Sequence, residues 1–245
     1  MDFTAASFPS TRMEFSMVEN CLFNYAKFDG IVIAGSAVRD SSFVGADLHE
    51  ARLGQDTRKL PRSLVSHFSE VSFEHALLRG AHTTGAEFVD CNFRNASLDQ
   101  VNFSGSLRMI RCTFGGDVRG ATFQGQTSRK SVLSDVDFSD SMFSDVDVIG
   151  FDLSSVRLPR DRRIFVIKAG RLADERVRME SLVRSEETPA RDRKSVSLIL
   201  ECVNSISSLG GGDVLINCAD LGLGFEEVER VLSLIDSEIN SPRGE

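Results

Sequence analysis

The sequence contains no Trp, one Tyr and five Pro, and its five Cys form no Cys-x-x-Cys pair. Isolated Cys indicate neither a disulfide framework nor a zinc knuckle, and we expect reduced thiols in an apolar core. No apolar run approaches the roughly 18 residues of a membrane span. Residues 1–12 lack the order of a signal peptide. We therefore expect a cytoplasmic protein without membrane contact.

Basic residues are also scarce, with 28 Lys and Arg against 36 Asp and Glu, and the net charge is −8. This balance argues against direct nucleic-acid binding by neutralisation of phosphates. It leaves open a protein that occupies a basic, DNA-binding groove. The apolar fraction of 41% is ordinary for a globular protein, so a buried core is expected.

A period of five runs along the chain from Phe3 to Leu158. Of the 32 positions on this phase, 26 are Phe, Leu, Ile, Val or Met, and they hold 13 of the 18 Phe. Two positions earlier in each unit, the side chain is small in 25 of 32 cases. Neither a helix nor a strand buries such a set, because each unit advances a helix by about 500° and changes the face of a strand. A coil that turns a corner once in every unit buries both sets.

Each unit reads as a small residue, a variable one that is often Asp or Asn, and then Leu or Phe. Examples are Ala46-Asp47-Leu48, Cys91-Asn92-Phe93, Ala96-Ser97-Leu98, Val101-Asn102-Phe103, Ala121-Thr122-Phe123 and Val136-Asp137-Phe138. Over about residues 1 to 160 the sequence resembles the pentapeptide-repeat family. The resemblance implies an all-β, right-handed quadrilateral β-helix with four units, hence about 20 residues, in each coil.

A constant step of one coil predicts ladders of Phe inside this solenoid. One ladder contains Phe3, Phe23, Phe43, Phe103, Phe123 and Phe143, with Ser63 and Thr83 as a gap, and a second contains Phe73 and Phe93 together with Met13, Ile33, Leu53, Leu133 and Leu153. About eight coils would then form a rod of about 38 Å, or slightly less if loops leave the rod.

Three segments break the period, near 55–65, 106–119 and 126–130, and we expect them to leave the rod as loops. In the second, Met109 and Phe114 run one residue out of phase. An unpaired Arg in so narrow a core costs several kcal/mol. Loops on a regular scaffold are typical binding surfaces, although neutral insertion is the alternative. The candidate partner-binding residues of the first loop are Arg58, Lys59 and Arg62.

The period ends at Leu158-Pro159, so we place a domain boundary between 1–159 and 160–245. The second part is expected to be a small, mainly α-helical (α+β) module. It must cap the last coil, because the open end of a solenoid exposes its core. Its helices are expected to pack together or onto the rod, with partner binding as the alternative. We predict a strand or cap at 164–167, helices over 172–184, from Pro189 to about 209 and over 225–239, and a strand at 214–218.

No catalytic motif is present. Gly210-Gly211-Gly212-Asp213 lacks the Lys of a phosphate-binding loop, and there is no nucleophile elbow. The four His lie close together in the sequence, between positions 49 and 82, but the repeat places them at outward positions. We therefore predict a non-enzymatic protein with no catalytic residues, no cofactor and no metal site.

Acidic residues are concentrated at the end of the rod. Leu133 to Asp152 contain six Asp and no basic residue. In one coil these residues would form a patch, although a solvated surface that keeps sheet edges unpaired is the alternative. The candidate partner-binding residues are Asp135, Asp137, Asp140, Asp145 and Asp147.

Some pentapeptide-repeat proteins mimic duplex DNA and dock on type II topoisomerases. The resemblance thus implies a DNA mimic that binds DNA gyrase or topoisomerase IV and modulates it or protects it from quinolones or toxins. Residues 1–160 carry 20 acidic and 16 basic side chains. Over the expected rod this is about one net charge per 10 Å, against one per about 1.7 Å in DNA, so only the last coil is dense enough.

The other hypothesis is a general interaction scaffold whose C-terminal helical module recruits an unknown protein partner. Relatives also form a C-terminal dimer contact, which this module either blocks or replaces. A homodimer therefore stays an open expectation. The sequence does not decide between these alternatives.

Overall fold

The computed structural model describes residues 1–54, 65–105, 107–125 and 131–235. Short strands joined by tight corners form a parallel β-solenoid. Its strands are β1 (Ser7–Pro9), β2 (Arg12–Glu14), β3 (Met17–Glu19), β4 (Lys27–Asp29), β5 (Val32–Ala34), β6 (Ala37–Arg39), β7 (Ser66–Ser69), β8 (Ala86–Val89), β9 (Asn92–Arg94), β10 (Asn102–Gly105), β11 (Arg108–Ile110), β12 (Thr113–Arg119), β13 (Thr122–Gly125), β14 (Val132–Ser134), β15 (Asp137–Ser144) and β16 (Asp147–Ile149).

The strands stack into parallel sheets along the faces of the solenoid. The longest has the order β14-β11-β8-β7-β6-β3, and the others are β1-β4, β2-β5, β10-β13-β16 and β15-β12-β9. Each strand of the longest sheet comes from a new turn, so this sheet spans six turns of the rod. On a neighbouring face, bridges and strand pairs connect eight successive layers from Asp2 to Arg157, close to the eight coils expected.

Corners recur once in each unit, two positions after each large inward residue. Asn20 and Asp40 have φ values of 53° and 46° there, a left-handed conformation that Asn and Asp tolerate well. Phe15 and Tyr25 adopt the same conformation, and both rings are exposed. The stacking of the coil therefore imposes the corner even on residues with little preference for it.

Strand pairing gives the length of each coil. Met17 pairs with Ala37, one ordinary coil further on, whereas Ala37 pairs with His67, one and a half ordinary coils further on. The additional half coil equals the length of segment 55–64, which lies outside the described residues. Thr122 pairs with Asp147, one five-residue unit beyond an ordinary coil, around segment 126–130, which also lies outside them. The loops expected in these two places stay predictions.

These changes of register correct the expected Phe ladders. The longest observed stack contains Phe3, Phe23, Phe43, Phe73, Phe93, Phe114 and Phe138, with successive ring centroids 4.5–5.4 Å apart. Phe103 and Phe123 stack on each other at 4.7 Å on another face, and Phe143 pairs with Val118. The prediction that these three continue the ladder of Phe43 is wrong, as is the separate ladder for Phe73 and Phe93, because inserted residues advance the sequence without advancing the coil.

Residues 107–119 stay in the rod. Residue 106 lies outside the described residues. Arg108 pairs with Glu87, and the spacing between them exceeds an ordinary coil by a single residue, which shifts the phase. Met109 then takes the buried position while Arg108 Nη1 lies 3.4 Å from Glu87 Oε2 on the surface. Phe114 joins the Phe stack, and Val118 is buried and back in phase. The expected loop is therefore wrong for residues 107–119, because the shift turns Arg108 outward.

The C-terminal part contains two strands and three helices among its described residues. They are β17 (Ile164–Ile167), α1 (Leu172–Arg184) after a 3-10 turn (Ala169–Arg171), α2 (Ala190–Leu209), β18 (Val214–Asn217) and α3 (Phe225–Ile235). Both predicted strands and α1 are confirmed. The second helix begins one residue later than predicted because Pro189 is its N-cap.

The sheet of β17 and β18 caps the rod. These strands pair antiparallel, and alternate residues face opposite sides. The side toward the rod carries Ile164, Val166 and Leu215, which join the core of the solenoid, and the side toward the helices carries Phe165, Ile167, Val214 and Ile216, which join a second core. The two cores are thus the two faces of a single small sheet.

A buried carboxylate fixes the cap to the last coil. Asp213 accepts hydrogen bonds from the backbone N–H groups of Leu153 and Ala169, both at 2.9 Å, and from Lys168 Nζ at 2.8 Å. Its side chain is 6% exposed. One residue therefore ties together the coil, the end of β17 and the start of β18.

The chain before β18 also lies tightly against the rod. Gly212 has φ +112°, and a Cβ atom there would lie 2.6 Å from the backbone N and O of Phe151. Only glycine fits this approach. At the other end of β18, Asn217 Nδ2 donates to the backbone oxygen of Phe143 at 3.2 Å. Backbone contacts at both ends of β18 hold the cap in position.

Candidate partner-binding surface

The solenoid distributes the predicted aspartates over more than one face. Asp135 lies at the corner before β15, and Asp137 and Asp140 lie on β15. Asp145 lies at the next corner, and Asp147 begins β16, which belongs to a different sheet. The expected patch therefore divides into two groups.

Basic and hydroxyl groups accompany the first group. Asp137 Oδ2 lies 3.1 Å from Arg157 Nη1, and Asp137 Oδ1 accepts the Ser139 N–H at 2.9 Å. Burial acts to raise the Asp137 pKa, but the hydrogen bonds from Ser139 and the Arg157 charge outweigh it, and the pKa is lowered. Asp140 Oδ2 lies 4.0 Å from Arg94 Nη2. These two carboxylates belong to a mixed-charge surface.

Asp135 is likewise tied locally. Its carboxylate accepts the Ser134 hydroxyl at 3.1 Å, and its backbone N–H donates to Ser155 Oγ at 3.3 Å. The carboxylate of Asp90 and, to a lesser extent, that of Asp135 raise the pKa of the Arg111 guanidinium. The corner at Asp135 thus lies beside a basic residue.

The second group gains a carboxylate from the C-terminal module. We define the acidic cluster as Asp145, Asp147 and Asp220. Burial and the Asp145 charge raise the pKa of Asp147. Burial raises the pKa of Asp220 and the Asp145 charge adds to this, while hydrogen bonds from the Asp145 backbone and Asn217 and the charge of Arg163 oppose it. Like charges are therefore held together at the junction of rod and module.

Sequence reasoning missed Asp220. It lies far beyond Asp147 in the chain, in a short loop between β18 and α3. Only the docking of the cap brings it to Asp145, and no local pattern around Asp220 signals this.

The raised pKa values predict a pH dependence. The folded state holds the Asp147 proton more tightly than the unfolded state, so this group adds stability as the pH falls through its folded pKa and opposes folding at neutral pH. Replacing Asp147 with Asn should raise the free energy of unfolding at pH 7 by about 0.2–1 kcal/mol. The stabilisation caused by this substitution should be smaller at pH 5. Urea unfolding at both pH values checks this. Equal destabilisation at the two values contradicts the assignment.

The basic candidates Arg58, Lys59 and Arg62 lie outside the described residues, so their role stays a prediction. Within the described ranges no three His, Cys, Asp or Glu side chains are arranged to hold a metal ion. None of the helices in those ranges is long and apolar enough to cross a membrane.

Residues 66–105 match the family model for pentapeptide repeats, with eight copies of the unit. These residues contain β7 to β10 and lie in the middle of the solenoid. The rod is a pentapeptide-repeat β-helix. No curated protein is significantly similar to this chain in sequence.

A solved structure supports the same fold for the β-helix. HetL from the cyanobacterium Nostoc sp. strain PCC 7120, described as a pentapeptide-repeat protein involved in the regulation of heterocyst differentiation, aligns with a TM-score of 0.56 at 13% identity. The alignment covers 64% of this chain and 66% of HetL, just under two thirds of its length. A structure of QnrB1, a plasmid-mediated fluoroquinolone resistance protein, aligns with a TM-score of 0.38 at 15% identity and covers 64% of this chain and 76% of that one.

Proposed function

We propose that this protein is a non-enzymatic binding protein whose acidic cluster docks on a positively charged surface of a protein partner. The observation that carries this is the cluster itself. The pKa of Asp147 is raised, first by burial and then by the charge of Asp145. A fold that keeps like charges together does so at a cost in stability, and such perturbed groups concentrate at functional sites.

The partner class that fits best is a type II topoisomerase, DNA gyrase or topoisomerase IV. The DNA-binding surface of such an enzyme is cationic, and a negative rod end can occupy it in place of duplex DNA. The pentapeptide-repeat sequence carries this part of the proposal, together with the position of the acidic cluster at the end of the β-helix. Binding would modulate the enzyme or protect it from quinolones or toxins.

The experiment is supercoiling by purified DNA gyrase, titrated with the full chain in the presence and absence of a fluoroquinolone. We expect inhibition at high concentration and relief of drug-stabilised cleavage. The triple variant Asp145→Asn, Asp147→Asn, Asp220→Asn should raise the half-effective concentration at least about tenfold, because close charge pairs across an interface contribute several kcal/mol.

A matched variant removes the same charge elsewhere on the rod. This control variant carries the substitutions Asp40→Asn, Asp99→Asn and Asp117→Asn, all on earlier coils. Asp40, like Asp145, occupies a corner with positive φ. This variant should act like the wild type. Equal weakening by both triple variants would mean that the cluster acts only through net charge, and no effect of the wild type would exclude DNA gyrase as the partner. Light scattering of the same samples tests whether a homodimer forms.

A further inference from the structure

A groove separates β15 of the rod from the module. Its volume is about 780 Å³, within the range of ligand and peptide sites. One wall is formed by residues 139–143 of β15. The other is formed by residues 160–163 and by Phe225 and Glu229 of α3. The function proposed above does not use this groove, and the charge of Arg163 in its wall opposes the rise that burial causes in the pKa of Asp220 of the acidic cluster.

Contacts within the module hold the second wall in position. The Arg163 guanidinium lies over the Phe225 ring, 4.7 Å from its centroid. Arg163 also donates two hydrogen bonds to Asp161, from Nε at 3.1 Å and from Nη2 at 2.7 Å. The groove is therefore preformed, which lowers the entropic cost of binding.

The lining combines exposed apolar side chains with an available cation. Met142 is 66% exposed and Phe225 is 52% exposed. Arg162 Nη1 is 4.0 Å from Glu229 Oε1, a weak pair, and in the described part of the chain Arg160 has no ion pair. A guanidinium with no ion pair to a described residue can bind a carboxylate through two parallel hydrogen bonds.

The first wall is also the end strand of its sheet. In the order β15-β12-β9, the strand β15 pairs with β12 on one side only. On its outer side, Phe138 N–H donates to the Arg157 oxygen and the Phe143 oxygen accepts from Asn217. Between these points no described strand pairs with β15. An unpaired strand edge along a groove is the geometry of recognition by strand addition.

We propose that this groove binds an extended segment of a partner protein in which a carboxylate stands next to an aromatic or large aliphatic side chain. The segment lies along the outer edge of β15, its apolar side chain contacts Met142 and Phe225, and its carboxylate pairs with Arg160. The acidic side chains of the lining, Asp140, Asp161 and Glu229, are paired with Arg94, Arg163 and Arg162, so among the described residues the Arg160 guanidinium is the one left for a carboxylate of the segment. The exposed side chains of Met142 and Phe225 select the aromatic or large aliphatic side chain of the segment.

A displayed library of random dodecapeptides, selected on the full chain, tests this. We expect enrichment of Asp or Glu beside Phe, Tyr or Leu, with micromolar affinity for a synthetic consensus peptide. Arg160→Glu should weaken that peptide at least about tenfold, and Met142→Ser about fivefold. Binding should protect the amides of residues 139–143 from hydrogen exchange.

Matched variants lie far along the rod. Arg79 is exposed, and Met17 is 69% exposed on the first coil. Arg79→Glu and Met17→Ser should leave the affinity within about twofold, and so should the triple Asn variant of the acidic cluster. The proposal is overturned if no peptide is enriched, if enriched peptides bind the Arg160→Glu variant equally well, or if exchange protection falls outside β15.

Discussion

Replacing Phe93 with Ala should lower the free energy of unfolding by about 3–5 kcal/mol, the range for a buried aromatic side chain. The Phe93 ring is fully buried and stacks between Phe73 at 5.0 Å and Phe114 at 4.9 Å. It also meets Phe88 and Phe103 edge to face. The rod interior is narrow, so few side chains can move to fill the cavity. Urea unfolding followed by circular dichroism measures the change.

The matched variant is Phe15→Ala. Phe15 lies at a corner of the first coil and is 65% exposed. Its removal should change stability by no more than about 0.5 kcal/mol. A loss at Phe93 no larger than the loss at Phe15 would show that the stacked rings do not stabilise the rod.

Replacing Asp213 with Ala should cost about 3 kcal/mol or more. Hydrogen bonds to a charged group contribute about 1.5–3 kcal/mol each, and Asp213 accepts two from backbone N–H groups, of which that of Leu153 is buried, besides its contact with Lys168. The variant leaves the Leu153 N–H without its acceptor where the cap meets the last coil. Thermal unfolding and exposure to a hydrophobic dye report the loss, since loosening the cap uncovers the core.

A neighbouring acid provides the control. Asp152 Oδ1 lies 3.9 Å from the same Lys168 Nζ, but the Asp152 side chain is 80% exposed. Asp152→Ala should cost less than about 1 kcal/mol, as exposed ion pairs do. Equal effects of the two substitutions would mean that Asp213 acts only through the lysine charge.

The sequence predicts the interior of the rod because its periodicity is set by one coil. Val101 and Phe103, for example, are both buried as the repeat requires. The stacking partner of a residue cannot be predicted from this period, because it depends on every insertion between two coils. The extra half coil after Leu53 places Phe73, rather than Ser63, against Phe43. A register that accumulates along the chain cannot be assigned from a constant step.

The C-terminal module was predictable in its elements but not in its contacts. The apolar run Ile164 to Ile167 predicts a strand or a cap, and it is both. Its partner β18 lies beyond α1 and α2 in the sequence, and no local pattern specifies that pairing. The same long-range docking brings Asp220 to the acidic cluster and Phe225 to the groove. Both candidate sites therefore depend on information that the repeat does not contain.

The division of the cap between β17 and β18 has a consequence for biosynthesis. The coils of the rod can form in order as they leave the ribosome, because each contacts mainly its neighbour. The last coil cannot be covered until β18 emerges, after α1 and α2 have been translated. During that interval the growing end of the β-helix presents its apolar interior to the solvent. A ribosome stall between residues 170 and 210 would leave a template that can add strands from another chain.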